Sequence, residues 1–252
     1  MKRALVGIMT LAACSLAFAG IAAAAVDCGP SSGGSGDLAN VKIGLHAVAF
    51  NDIKTCTKAA PTQFGCDAPS DQSSLNTTWP VDTRATAYVV ALDIPTTIGL
   101  KGATFGIDFV PYDDVTYIGI YVNAFNLCVD LAFPSASPSP VFPSDPQSGV
   151  VVTSNTCLGV VDDPSDPQAE GFAILGWFDV TSYAYVGPLS ITPRLYLPNP
   201  DFQVANCSAA ASNPCYPDFA GALGFGGPGY QPCVGVVATE STTWSKLKQM
   251  GE

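Results

Sequence analysis

Ala103-Thr104-Phe105-Gly106-Ile107-Asp108-Phe109 puts an apolar side chain at every second position, against Thr, Gly and Asp between them. Only an extended chain, whose side chains alternate between two faces, turns that order into one apolar and one polar surface. The stretch therefore reads as a half-buried strand. Moving toward the N-terminus, residues 85–94 set Tyr88, Val90, Leu92 and Ile94 on one face. In residues 41–50, Val41, Ile43, Leu45, Ala47 and Ala49 oppose Lys42 and His46. Toward the C-terminus a turn at 111–114 leads into 115–122, which is β-branched and aromatic. Leu127, Val129, Leu131 and Phe133 then alternate with Cys128 and Asp130.

Residues 134–148 are a Pro/Ser loop that neither a helix nor a central strand tolerates. Further strands are expected at 150–153, 157–161, 172–180, 183–186 and 189–197. Trp177, two and four positions from Leu175 and Ala173, reads as core. No stretch of the body repeats apolar residues at helical spacing over three turns. Short strands divided by turns, in a chain of 252 residues with 24 Gly and 21 Pro, predict an all-β fold: an antiparallel two-sheet β-sandwich.

The composition excludes several classes. With 48% apolar and 12% charged residues the chain is neither a coiled coil nor a disordered acidic tail. A formal charge of −11 repels phosphate backbones, which argues against a nucleic-acid partner. Lys2 and Arg3 precede an apolar run over residues 4–24 that ends in Ala22-Ala23-Ala24-Ala25. That is the form of a signal peptide cut after Ala25, with no membrane-spanning segment left afterwards. Leu11-Ala12-Ala13-Cys14 matches a lipobox, but the apolar residues that follow Cys14 are unlike a lipoprotein tether. The expected divisions are a signal peptide at 1–25, a flexible lead-in at 26–40, a sandwich domain at 41–238 and a tail at 239–252.

Eight cysteines remain after Cys14, an even number that in an exported chain reads as a disulfide framework. Nearest-neighbour closure favours Cys56–Cys66 and Cys128–Cys157, with a further bond among Cys207, Cys215 and Cys233. A zinc or redox site is disfavoured, because no C-x-x-C occurs and His46 is the only histidine.

Chemistry is sparse. Between Lys101 and Arg194 there is no Lys or Arg, but there are nine Asp and Glu170. Within that span Asp162, Asp163, Asp166 and Glu170 are a candidate calcium site, since clustered hard oxygens are what that ion requires; their spacing is not that of an EF-hand. Gly29-Pro30-Ser31-Ser32-Gly33 matches the nucleophile-elbow pattern, but it lies in the lead-in rather than on a strand-to-helix turn. His46 reads as an ordinary surface or edge histidine. No P-loop or dinucleotide fingerprint occurs.

Aromatic residues offer binding surfaces instead. Trp79 in a polar loop, and Tyr216 and Tyr230 in Gly/Pro-rich turns, could stack on sugars or anchor a protein. In the tail, Trp244, Leu247 and Met250 are spaced to share one face of a short C-terminal helix, which would need a surface to dock on. The tail also has the look of a recognition or sorting signal.

Several short motifs carry a resemblance. Ile43-Gly44-Leu45-His46, Gly102-Ala103-Thr104-Phe105-Gly106-Ile107, Asn126-Leu127-Cys128, Ser190-Ile191-Thr192-Pro193-Arg194, the glycine-rich close from Gly224 to Cys233 and Trp244 to Lys248 recur together. In these, and over most of residues 41–250, the chain resembles exported β-rich proteins of Gram-negative environmental bacteria. More remotely, residues 87–109 followed by Pro111-Tyr112-Asp113 are similar to the second and third strands of cohesin-like, Ig-like sandwiches. The resemblance implies a non-catalytic binding or scaffold module at the cell surface and carries over no site residue. The expectation is thus a secreted or surface module for a protein or glycan partner. A calcium-dependent, Asp-based hydrolase of carbohydrate and a structural envelope protein stand as alternatives.

Overall fold

The computed structural model describes residues 36–50, 56, 75–136, 140–160, 171–194, 202–212 and 220–232. Among these it is all-β, with twelve strands and no helix: β1 (Lys42–Ala49), β2 (Thr78–Trp79), β3 (Arg84–Leu92), β4 (Leu100–Asp108), β5 (Gly119–Leu127), β6 (Leu131–Pro134), β7 (Ser148–Leu158), β8 (Ala173–Tyr183), β9 (Gly187–Thr192), β10 (Gln203–Asn206), β11 (Ala211–Ser212) and β12 (Ala222–Phe225). The short C-terminal helix expected over the tail lies outside the described residues.

The strands form two sheets. One runs β1-β3-β8-β5 and is antiparallel throughout. In the other, β4 is the centre. β7 flanks one edge of β4 and carries β6 beyond it. The opposite edge of β4 is shared: β10 pairs with its first half and β9 with its last three residues. β12 joins β9, and β2 joins β12 in parallel, so this sheet is mixed rather than purely antiparallel as the sequence predicts.

The main core lies between the sheets. Ala103, Phe105 and Ile107 of β4 face Ile43 and Leu45 of β1, Val89 of β3 and Phe178 and Val180 of β8, all fully or almost fully buried. At one side Phe105, Phe125, Phe142 and Phe178 pack mostly edge-to-face, with ring centroids 5.0–6.4 Å apart, an arrangement that aromatic quadrupoles favour.

β3 keeps Tyr88, Val90 and Leu92 on one face, as its alternation implies; that face is the outer one, while Ile94 beyond the strand joins the main core. Its small residues Ala85, Ala87, Val89 and Ala91 enter the main core. Its large ones, Tyr88, Val90 and Leu92, build a second cluster with Leu75, Phe172 and Ile174 on the outer face of the first sheet. Trp177 belongs to that outer cluster and not to the main core. A bulge in β8, where the register shifts opposite Val89 and Val90, breaks the alternation that linked Trp177 to Ala173 and Leu175.

The disulfides also differ from nearest-neighbour closure. Cys56 is bonded to Cys128, with Cα atoms 5.1 Å apart and a sequence separation of 72. Cys157 is bonded to Cys207 at 5.6 Å and a separation of 50. The proposed Cys56–Cys66 and Cys128–Cys157 pairs are therefore overturned. Strands distant in sequence lie side by side in this topology: Leu158 and Asn206 both pair with Leu100, so the sheet itself brings Cys157 and Cys207 together. Cys66, Cys215 and Cys233 lie outside the described residues.

Candidate functional site

Strand ends place three loops together at one end of the sandwich: 80–83 before β3, 109–118 between β4 and β5, and 184–186 after β8. The register fixes this, since Arg84 pairs with Thr181 and Gly119 with Tyr183. The first and third loops are tied to each other. Asp82 donates its N–H to Ser182 O at 2.7 Å and accepts the Ala184 N–H on Oδ1 at 2.8 Å.

The middle loop is braced around Asp113. Its carboxylate accepts the Val115 N–H at 2.9 Å and the Thr116 hydroxyl at 2.8 Å, and its carbonyl accepts the Tyr117 N–H at 2.8 Å. These bonds hold the Asp113 carboxyl below the usual carboxylate range. The loop then closes on β5 at Gly119. There φ is +127°, and a Cβ would run into the Pro111 carbonyl and Tyr112, so a residue without a side chain is required.

This frame displays aromatic side chains. Tyr117 is 68% exposed, Tyr121 51% and Tyr183 39%, with Val115 and Ile118 exposed beside them. Tyr112 rests against Tyr183, ring centroids 4.8 Å apart. Tyr117 holds a positive φ of 58°, uncommon for a bulky residue outside a turn that constrains it. Partial desolvation, followed by the neighbouring Tyr117, Tyr183, Asp114 and Asp113, raises the Tyr112 phenol above its ordinary range, so it stays protonated at neutral pH. On the same outer face Arg84 donates to Asp179 at 3.2 Å and lies 3.4 Å over the ring of Phe50. The arrangement can stack, accept hydrogen bonds and attract positive charge. Sequence reading missed it, having placed Tyr117, Tyr121 and Tyr183 inside expected strands.

Some of the residues singled out from sequence are placed differently. Trp79 is not an exposed loop ring: as part of β2 it packs against the main core, and its Nε1 is buried without a hydrogen-bond partner. Tyr230 is half-buried and pairs with Ala222 through the backbone. His46 is half-buried on β1, the edge strand of the first sheet, as an edge histidine would be. Burial lowers its pKa to about 4, and Nδ1 accepts the Asn76 N–H at 2.9 Å. Asp162, Asp163, Asp166 and Glu170, like Trp244, Leu247 and Met250, lie outside the described residues. Among the described residues no three His, Cys, Asp or Glu gather to hold a metal ion.

Two other features complete the survey. A groove of about 260 Å³ crosses the outer face of β4, lined by Gly102, Thr104, Val151, Gln203 and Ala211 with Lys101 at one end. No described carboxylate lines it. Asp108, at the end of β4, has its carboxyl pushed up by desolvation, but its cross-strand partner is Ser190, so the strand register sets no second acid opposite it.

The fold and this corner define a class: a disulfide-bonded, two-sheet β-domain that presents a braced tyrosine surface. No protein-family model matches the chain, and no curated protein matches it. Among solved structures, a cohesin module from the family 33 glycoside hydrolase of Clostridium perfringens ATCC13124 superposes with a TM-score of 0.38 at 11% identity, over 60% of this chain and 92% of that module. A superposition that loose carries no functional argument.

Proposed function

We propose that the protein is an exported, non-catalytic interaction module that holds its partner at the tyrosine-bearing end of the sandwich. The observation that carries this reading is the exposure of Tyr117 on a loop braced by Asp113, beside Tyr121 on β5 and Tyr183 at the end of β8, where Asp82 ties down the loop that follows. Rings held rigidly in solvent give contact area at low ordering cost, which is how aromatic anchors serve in recognition. Export is supported by the Lys2-Arg3 start with its apolar run, and by disulfides, which persist in oxidising compartments such as the periplasm and the exterior. No helix among the described residues is long and apolar enough to cross a membrane.

The test is site-specific photo-crosslinking in the producing cell, with a crosslinking phenylalanine analogue at Tyr117 and, separately, at Leu131 on the distant strand β6. A discrete adduct from position 117 that is absent from position 131 supports the module. Equal or absent adducts at both positions would remove it. In the same experiment, fractionation should place the protein in the periplasm, at the outer surface or in the medium, with a mature mass starting at Val26.

A further inference from the structure

We propose that this corner binds a basic segment of a partner protein, seating a Lys or Arg side chain against the rings of Tyr112, Tyr117 and Tyr183 beside the carboxylates of Asp113 and Asp114. The inference rests on the interaction-module reading and adds the chemical class of its partner.

Charge complementarity carries it. The faces of phenol rings are the negative ends of their quadrupoles and attract cations, Arg most readily. Here three such rings share a corner with two carboxylates on one braced turn. Nothing cationic in the local sequence competes, because residues 102–193 contain no Lys or Arg. Four basic residues are described: Lys42, Arg84, Lys101 and Arg194. Arg84 is the one whose strand position reaches this end, and it is committed to Asp179 and Phe50. A formal charge of −11 over the chain would further steer a basic partner inward.

Arg84 also shows the binding mode at work within this protein. Its guanidinium lies over an aromatic ring while a carboxylate takes one of its N–H groups. The tyrosine corner at the same end of the sandwich again sets rings beside carboxylates, and no described Lys or Arg is drawn in among them. A neutral glycan could stack on the same rings, but it would make no use of the negative field around them.

The test is an NMR titration of the mature exported protein with a hexa-arginine peptide, and separately with a neutral glucose hexasaccharide. The expected result is saturable shifts confined to residues 110–121 and 182–185 with the peptide, weakening as salt is raised from 50 to 500 mM (both chosen conditions, on the order of a threefold change in screening length). Tyr117→Ala should weaken binding roughly two- to fivefold, the effect of an exposed cation–π contact. Tyr117→Phe, which keeps the ring, should bind like the parent, and Phe133→Ala on β6 should change nothing. Peptide shifts spread evenly over the acidic surface, or identical titrations for the parent and Tyr117→Ala, would overturn the proposal. Shifts at the corner with the hexasaccharide alone would overturn the basic partner while leaving the module reading intact. If neither probe binds and position 117 yields no crosslink, both fall together.

Discussion

The backbone N–H of Asn76 donates to Nδ1 of His46 at 2.9 Å, which fixes the neutral tautomer of the ring with its proton on Nε2. Asn76 is further stitched to the same strand, its amide to Ala47 O and its carbonyl to Ala47 N–H. Protonation of Nδ1 would destroy the first of these bonds and place a charge where burial already lowers the pKa to about 4. The unfolded chain, with an ordinary His value near 6.5, takes up the proton first. The stabilisation is therefore complete above about pH 6.5 and is lost as pH falls from there toward 4. His46→Asn should keep an acceptor near the Nδ1 position without titrating. Between pH 7.5 and 4.5, urea unfolding of the parent should lose roughly 2 kcal/mol more than that of His46→Asn. Parallel losses in the two proteins would show that His46 is not the titrating group.

Gly99 sits under the Cys157–Cys207 disulfide. Its φ is +67°, and a Cβ there would collide with both sulfur atoms and with Val160. Gly99→Ala should cost at least about 1 kcal/mol from the left-handed backbone alone, and more from the clash. In a chain with both cysteines replaced by alanine, the same substitution should cost less, because part of the obstruction is gone. A double-mutant cycle on denaturant midpoints measures the difference. A coupling of zero would mean that the bond does not pass over Gly99.

β4 shows how much of the fold its sequence announces. Ala103, Phe105 and Ile107 alternate with less apolar neighbours and all three enter the main core. β3 could not be oriented the same way, because eight of its nine residues are buried and only Arg84 and Thr86, at its start, mark the outer face. The bulges at Ala124 in β5 and near Leu175 in β8 shift the alternation by one residue and leave no compositional trace beforehand. β2 and β11 are two residues long, too short for any period to show.

The tyrosine corner was hidden for a related reason. Aromatic and β-branched residues favour strands, so Val115, Tyr117 and Ile118 read as the start of β5, although that strand begins at Gly119. The available signal was Asp113 three residues before Thr116, an Asx-type brace that ends extended structure. Trp79 misled in the opposite sense. Its polar neighbours suggested an exposed loop, yet parallel pairing with β12 carries it onto the core.

Non-reducing peptide mapping is expected to yield Cys56 linked to Cys128 and Cys157 linked to Cys207. A Cys56–Cys66 peptide would contradict the arrangement of β5 against residue 56. Because the second bond closes a loop of 50 residues, replacing Cys157 and Cys207 together by alanine should lower stability by about 2–4 kcal/mol. Denaturant unfolding of the double variant, compared with the parent under oxidising conditions, measures that loss.

Asp113 braces the turn that presents Tyr117, so its removal should loosen the corner without unfolding the sandwich. Asp113→Ala deletes acceptors for the Val115 N–H and the Thr116 hydroxyl while touching nothing in the core. The left-handed backbone of Tyr117 would then lose part of what holds it, and the residue should relax toward commoner conformations. NMR order parameters of residues 114–118 are expected to fall below about 0.6, the flexible range, while those of β4 and β8 stay near 0.85. Asp113→Asn keeps a carbonyl that can accept the Val115 N–H, so it should preserve the order of the loop while removing its charge. The pair of variants thereby separates rigidity from electrostatics. If the loop is equally ordered in Asp113→Ala, the bracing lies in the backbone bonds from Tyr112 and Asp113 to Ile118 and Ile120.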